Sequence, residues 1–194
     1  MAQHRVAQHR EETTGEGRKA MNNVTIAALF LRAALGITML AHGYNHMFGG
    51  GKLPGTARWF ESIGIRPGRV HALLATLTEL GAGTLLILGL FTPLAAAGVV
   101  GTMLVALIAN HLRNGYFIFR PGEGYEYVLF LVLSGFAMGS LGGGRISLDH
   151  AFGLHLGGWL SGGKGLAITA VGALGALLLL ATCWRRPAPA AAKA

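Results

Sequence analysis

One cysteine, Cys183, stands in a chain of 194 residues. A single thiol excludes an intramolecular disulfide and any CxxC redox or iron–sulfur motif, so redox chemistry here would need a borrowed cofactor. Charge is also scarce, at 12% of residues against 52% hydrophobic, and that balance excludes an ordinary soluble surface. Acidic residues are scarcer still, 8 against 16 basic, which leaves a net charge of +8. The basic residues lie in flanks and loops, and no RRM, helix-turn-helix or zinc-finger spacing is present. Anionic lipid, and not nucleic acid, is the partner such a charge implies. Walker loop, dinucleotide fingerprint, nucleophile elbow and HExxH are all missing, which removes the self-contained soluble-type enzymes that depend on them.

What the chain has instead is long apolar runs. Five approach the twenty residues that cross about 30 Å of hydrocarbon at about 1.5 Å per residue: Val24 to Phe48, Val70 to Leu90, Leu94 to Leu112, Tyr125 to Leu141 and Gly165 to Trp184. The fourth is marginal in length. The expected fold is an all-α polytopic membrane bundle of four helices plus a fifth, C-terminal transmembrane helix. Glycines suit close helix packing in lipid, as at Gly135 and Gly139, and at Gly172 with Ala176. Residues 1–23 and 185–194 are polar or Pro/Ala-rich and read as disordered tails. The stretch ARWFESIGI, with Trp59, Phe60 and Ile63 beside Arg58 and Glu61, reads as an interfacial amphipathic helix. Residues 151–184 are expected to hold an interfacial loop and the fifth span. Counting basic residues gives nine on one side and six on the other, a margin too small to orient the chain in a cell membrane.

Two charges interrupt the apolar runs. Arg32 lies in the first span and Glu79 in the second. A charge at the centre of a bilayer costs about 2.5 to 3.5 kcal/mol even on insertion scales, so each should face protein, pair, or line a cavity. Depth counted from the start of each antiparallel span places them within about 5 Å of one another, which makes them expected partners. The same counting places His42, His46, His71, His111 and Glu126 towards one membrane face. At 100° per residue Arg32, His42 and His46 share an arc of about 80° on the first helix. Three readings follow. Arg32, His42, His46, Glu79, His111 and Glu126 can bound a polar pocket for a quinone or similar amphiphile, with the histidines carrying protons. His42, His46, His71 and His111 can hold a transition metal or haem. Or the whole layer is interfacial structure wetted by water.

Read in order, LRAALGITMLAHGYNHMFGG with Arg32 and Gly43, ARWFESIGI, LLATLTELGAGTLLILGLFTPLAA with Glu79, Gly83, Gly89 and Thr92, YEYVLFLVL, and GGGRISLDH with Asp149 resemble the DoxX family of bacterial membrane proteins. The resemblance spans residues 24–150. It implies a four-helix membrane bundle with Arg32 and Glu79 inside, and structural roles for Gly43, Gly83, Gly89 and Asp149. It also implies kinship with subunits linked to thiosulfate:quinone oxidoreduction and with proteins of oxidative and thiol stress defence. A lysine common in the family after the first span is replaced here by His46, followed by Lys52.

The sequence therefore supports two functions of different class. One is a multi-pass plasma-membrane subunit of a redox system with a quinone-type ligand and a protein partner or second copy. The other is a non-catalytic scaffold or small-molecule conduit, in which an Arg32–Glu79 pair locks the bundle and the fifth helix meets a partner.

Overall fold

A computed structural model describes residues 2–154 and 160–187, with side chains from Met21 onward. Helix α1 (Ala2–Phe48) is followed by α2 (Lys52–Ser62), α3 (Gly68–Leu88), α4 (Thr92–Ala106), α5 (Glu126–Leu141), the single turn α6 (Leu148–Ala151) and α7 (Gly162–Cys183). Helix α4 continues through a π-helical turn, Leu107–His111, and a 3₁₀ turn, Leu112–Asn114. The helical backbone of α1 begins at Ala2, within the segment expected to be a tail. Of the C-terminal tail, residues 188–194 lie outside the described residues, as do residues 155–159 of the expected interfacial loop.

Among the described residues, four helices are long and apolar enough to cross a membrane: Met21–Phe48, Gly68–Leu88, Thr92–Asn114 and Gly162–Cys183. Helix α5 has 16 residues, or about 24 Å, which accounts for its marginal reading in the sequence. The chain is an integral, multi-pass membrane protein. Its outer surface carries exposed Phe30, Ile37, Leu77, Phe130, Leu133, Leu174 and Leu178, the surface a helix bundle turns to lipid.

Small residues set the helix packing. A Cβ at Gly43 would lie 2.8 Å from Leu80 Cγ, and one at Gly83 would lie 2.8 Å from the Gly36 carbonyl oxygen, so α1 and α3 touch along their backbones. This contact fixes their antiparallel register, with Gly36 level with Gly83 and Gly43 level with Leu80. Helix α7 is seated in the same way. A Cβ at Gly172 would meet the Ala97 carbonyl of α4, and one at Gly165 would meet the Gly139 carbonyl of α5. Thr169, fully buried, donates to Pro93 O at 3.2 Å. The fifth span is thus an integral part of the bundle and not an appendage. Gly172→Leu would drive a side chain into the α4 backbone, where nothing can yield by a rotamer change. It should destabilise the protein by about 1–3 kcal/mol, seen as a lower melting temperature in detergent, while Gly81→Leu, at a position with nothing within 4 Å, should leave it unchanged.

At the far end of α7 the chain pairs with the α2–α3 connection. Arg66 N donates to Cys183 O and Arg185 N to Gly64 O, each at 2.9 Å, and Trp184 Nε1 donates to Ile63 O at 2.9 Å. Among the described residues this single bridge, Ile65 with Trp184, is the closest approach to β-structure. It ties α2, α3 and α7 together at the membrane face where α1 ends.

Candidate functional site

The two intramembrane charges do not pair. The register set by Gly36, Gly43 and Gly83 puts Glu79 level with the stretch between Gly43 and His46. Arg32 lies beside Gly89, whose Cβ, if present, would meet the guanidinium. Eleven or more residues of α1 separate those levels, about 17 Å. The expected Arg32–Glu79 partnership is therefore corrected, and each charge has its own surroundings.

Arg32 is 2% exposed. Its Nη1 donates to Gly143 O at 3.0 Å and its Nη2 to Ile146 O at 2.8 Å, binding α1 to the loop after α5. Asp149 acts on its charge through space. The Asp149 carboxylate, also 2% exposed, accepts from Phe91 N at 2.7 Å, Thr92 N at 3.0 Å and Thr92 Oγ1 at 2.7 Å. It caps the N-terminus of α4 from 57 residues away, satisfying donors that the helix cannot. Phe91 sits at φ 47, a conformation unfavourable for a side-chain-bearing residue, and the carboxylate holds it there. Gly89, at φ 66, closes α3 in the left-handed conformation, and its carbonyl accepts from Asp149 N at 2.9 Å. Arg32, Gly89 and Asp149 thus form one polar knot at the membrane face where α4 begins. Ser147 belongs to it as the local cap of α6, accepting from His150 N.

Glu79 lies nearer the opposite face. Its carboxylate Oε2 is 2.9 Å from His46 Nδ1, with side chains 5% and 17% exposed. The geometry falls short of an aligned hydrogen bond, and neither atom has another partner among the described residues. His71, 7% exposed, has neither ring nitrogen hydrogen-bonded. Orphaned buried polar atoms are rare because each costs about 1–3 kcal/mol, and here three residues supply them in one place.

That place is a cavity of about 360 Å³, within the usual range for small-molecule sites. His42, His46, His71, Glu79 and His111 all line it. Helix α3 gives one wall, where His71, Ala75 and Glu79 follow at intervals of four residues on one face. Helices α4 and α7 give the opposite wall, with glycines 98, 101, 172 and 175 in its lining. Trp59 and Phe60 of α2 and Ile63 just beyond its end line the cavity near the membrane face, and Phe60 packs edge-on to His46 with ring centroids 6.3 Å apart. Helix α2 is itself anchored by Thr56 Oγ1 donating to His46 O at 3.1 Å and by Glu61, which accepts from Gly68 N at 3.3 Å.

The remaining expected site residues are more varied. His42 Nδ1 lies 2.9 Å from Thr38 O. His111, on the π-helical turn at the cavity mouth, has Nδ1 3.0 Å from Glu123 O and Nε2 3.2 Å from Asn110 Nδ2. Glu126 does not line the cavity; its carboxylate accepts from Ile118 N at 2.8 Å and holds the loop before α5. Its place at the mouth is taken by Glu123, with Ile118 and Tyr127. No group of three His, Cys, Asp or Glu among the described residues is arranged to hold a metal ion. His42, His46, His71 and His111 therefore do not come together as a three-ligand metal centre. His71 is the residue that sequence reasoning placed only in that set. The signal for its role in the cavity was its i, i+4, i+8 spacing with Ala75 and Glu79.

Residues 27–112 match the family model described as DoxX. The match runs from the membrane-embedded part of α1 to the end of the π-helical turn, so the resemblance of residues 113–150 lies outside it. No curated protein and no solved structure matches the chain.

Proposed function

We propose that this chain, a DoxX-family membrane protein through residues 27–112, binds a quinone or similar small amphiphile in the cavity between α1, α3, α4 and α7, as a subunit of a redox system in the plasma membrane. The observation that carries this reading is a mostly apolar intramembrane cavity with unsatisfied polar atoms of His46, His71 and Glu79 in its wall. An apolar enclosure with a few convergent polar groups suits a ring with polar substituents and an alkyl tail. Polar groups held at that depth without partners suit a ligand more than they suit packing.

His46 and Glu79 take the part of proton carriers, since an imidazole in contact with a carboxylate can pass a proton to a bound oxygen. His111 stands where the cavity opens towards the loop 115–125. Reducing a quinone to a quinol takes two electrons and two protons, and the electrons would come from a partner protein's cofactor. Arg32, given a place in the pocket by the sequence, belongs on this reading to the knot with Asp149. The scaffold reading keeps that part of the molecule, because the hydrogen bonds of Arg32 and Asp149 tie α1 and α4 to the loop 143–149 as bundle architecture, with Arg32 Nε alone left without a partner among the described residues.

Titrating the purified protein in mild detergent with a short-chain quinone tests the proposal. Trp59 lines the cavity, so its fluorescence should be quenched saturably at one site per chain, and lipophiles extracted from the native preparation should include quinone. Quenching that rises only linearly, with no quinone in the extract, would overturn it in favour of the scaffold.

A further inference from the structure

Helix α4 is the most enclosed of the four long spans, yet one of its faces is not covered. Ala95, Ala96, Val99, Val100 and Met103 are buried, while Leu94, Gly98, Gly101, Thr102 and Val105 are exposed or half-buried. The spacing of those five puts them on one stripe of the helix. Helix α3 flanks the stripe on one side, where a Cβ at Gly98 would meet Ala82 and Thr78, and α7 flanks it on the other, where one at Gly101 would meet Gly172. The stripe is thus the floor of a slot between α3 and α7. Towards the membrane face where α7 ends the slot is shut, because Val105 and Leu179 pack with Ile65 and Ala72 and the Ile65–Trp184 bridge joins the two walls. In mid-span it is open: Leu74 is 51% exposed, and a Cβ at Gly175 would meet nothing within 4 Å. Leu74 lies about 9 Å along α3 from Gly68, and Gly175 about 12 Å along α7 from Cys183, so both rims stand inside the hydrocarbon layer. Leu74, Gly98, Gly101, Thr102 and Gly175 line the same cavity as His71 and Glu79. The Thr102 hydroxyl is spent on Gly98 O at 2.8 Å, which leaves the floor without a free donor.

We propose that the ligand enters this cavity sideways from the bilayer, between α3 and α7, and that its alkyl or polyprenyl tail stays in the slot while its polar ring lies against His71 and Glu79. The inference rests on the amphiphile reading of the cavity and specifies a tailed, membrane-dissolved molecule within it. A cavity of about 360 Å³ is at the small end for a ligand of drug size, so a long tail must leave it. The other opening, beside His111 and Glu123, is polar and lies at the membrane face, where an apolar chain would be put into water. The slot delivers the chain into lipid, its own solvent.

The position of the tail tests the proposal. A benzoquinone carrying a decyl chain with a terminal diazirine is bound to the full chain in lipid nanodiscs and irradiated. Labelled residues are read by peptide mass spectrometry, with and without an excess of the same molecule lacking the diazirine. Competed label should fall on the slot, at and around Leu74, Thr102 and Gly175. Gly175→Trp, which sets a ring at the rim, should reduce it by about tenfold or more, whereas Gly81→Trp, equally open on α3, should leave it unchanged. Competed label on α2 or the loop 115–125 instead would overturn lateral entry and leave an amphiphile site in place. Label outside the slot, with Gly175→Trp splitting a dimer, would give the slot to a second copy and overturn the proposal too. No competed label anywhere would overturn both readings. The wild-type label positions decide even where a variant fails to accumulate.

Discussion

Replacing Asp149 by Ala should cost the folded protein about 3–5 kcal/mol, the range for removing one member of a buried charge network. Three donors, Phe91 N, Thr92 N and Thr92 Oγ1, lose their common acceptor, and the Arg32 charge loses the carboxylate that acts on it. The left-handed turn at Phe91 then has nothing to hold it. Thermal melting in detergent and the amount of protein in the membrane should both fall sharply. Arg32→Gln should do the same through a different loss, because the loop carbonyls of Gly143 and Ile146 are released from α1. The two changes share the loop 143–149, so the double variant should lose less than the sum of the singles. Ligand affinity of the fraction that folds should be unchanged, since the knot lies about 17 Å in depth from the level of Glu79. A stable Asp149→Ala protein would show that α4 is capped by other means.

The spans, the short helix α2 and the close packing at glycines 135, 139 and 172 are legible because each depends on local composition and spacing. The pairing of Arg32 is not. Depth counted from the start of each apolar run assumes that the runs begin at the same plane. The membrane-compatible part of α1 has 28 residues, about 42 Å, so it overshoots a 30 Å core and its start is no marker of depth. The register is set by Gly36, Gly43 and Gly83, whose contacts no single-span reading supplies. Asp149 could be singled out only through family resemblance, because the donors it caps are 57 and 58 residues away. Glu126 fell at the expected helix start, but a first-turn acid can turn to a neighbouring loop, as it does with Ile118. The histidines at 42, 46, 71 and 111 gather around one cavity because antiparallel order alone brings the end of α1, the start of α3 and the end of α4 to one face.

Glu79→Gln should have the opposite profile to Asp149→Ala, although both remove a buried carboxylate. Asp149 is saturated with donors, so its charge is compensated and its loss is expensive. Glu79 has one poorly aligned contact with His46, and the buried Oε2 of that contact makes no hydrogen bond, so burying this carboxyl group costs stability that an amide of equal size need not lose. The variant should accumulate and melt at or above the wild-type temperature. On the proposed function it should also lose affinity for the ligand by about 10- to 100-fold, the loss expected for one hydrogen bond to a charged group, and quinone-dependent activity in membranes should vanish with it. His46→Ala should lose activity in the same way, and combining the two should add little, because they act as a unit. Stability is the half of this forecast that does not depend on the ligand's identity. A Glu79→Gln protein that is destabilised as badly as Asp149→Ala would make the His46–Glu79 contact a second structural lock. A protein that is stable and fully active would remove the pair from the mechanism and leave His71 as the cavity's polar anchor.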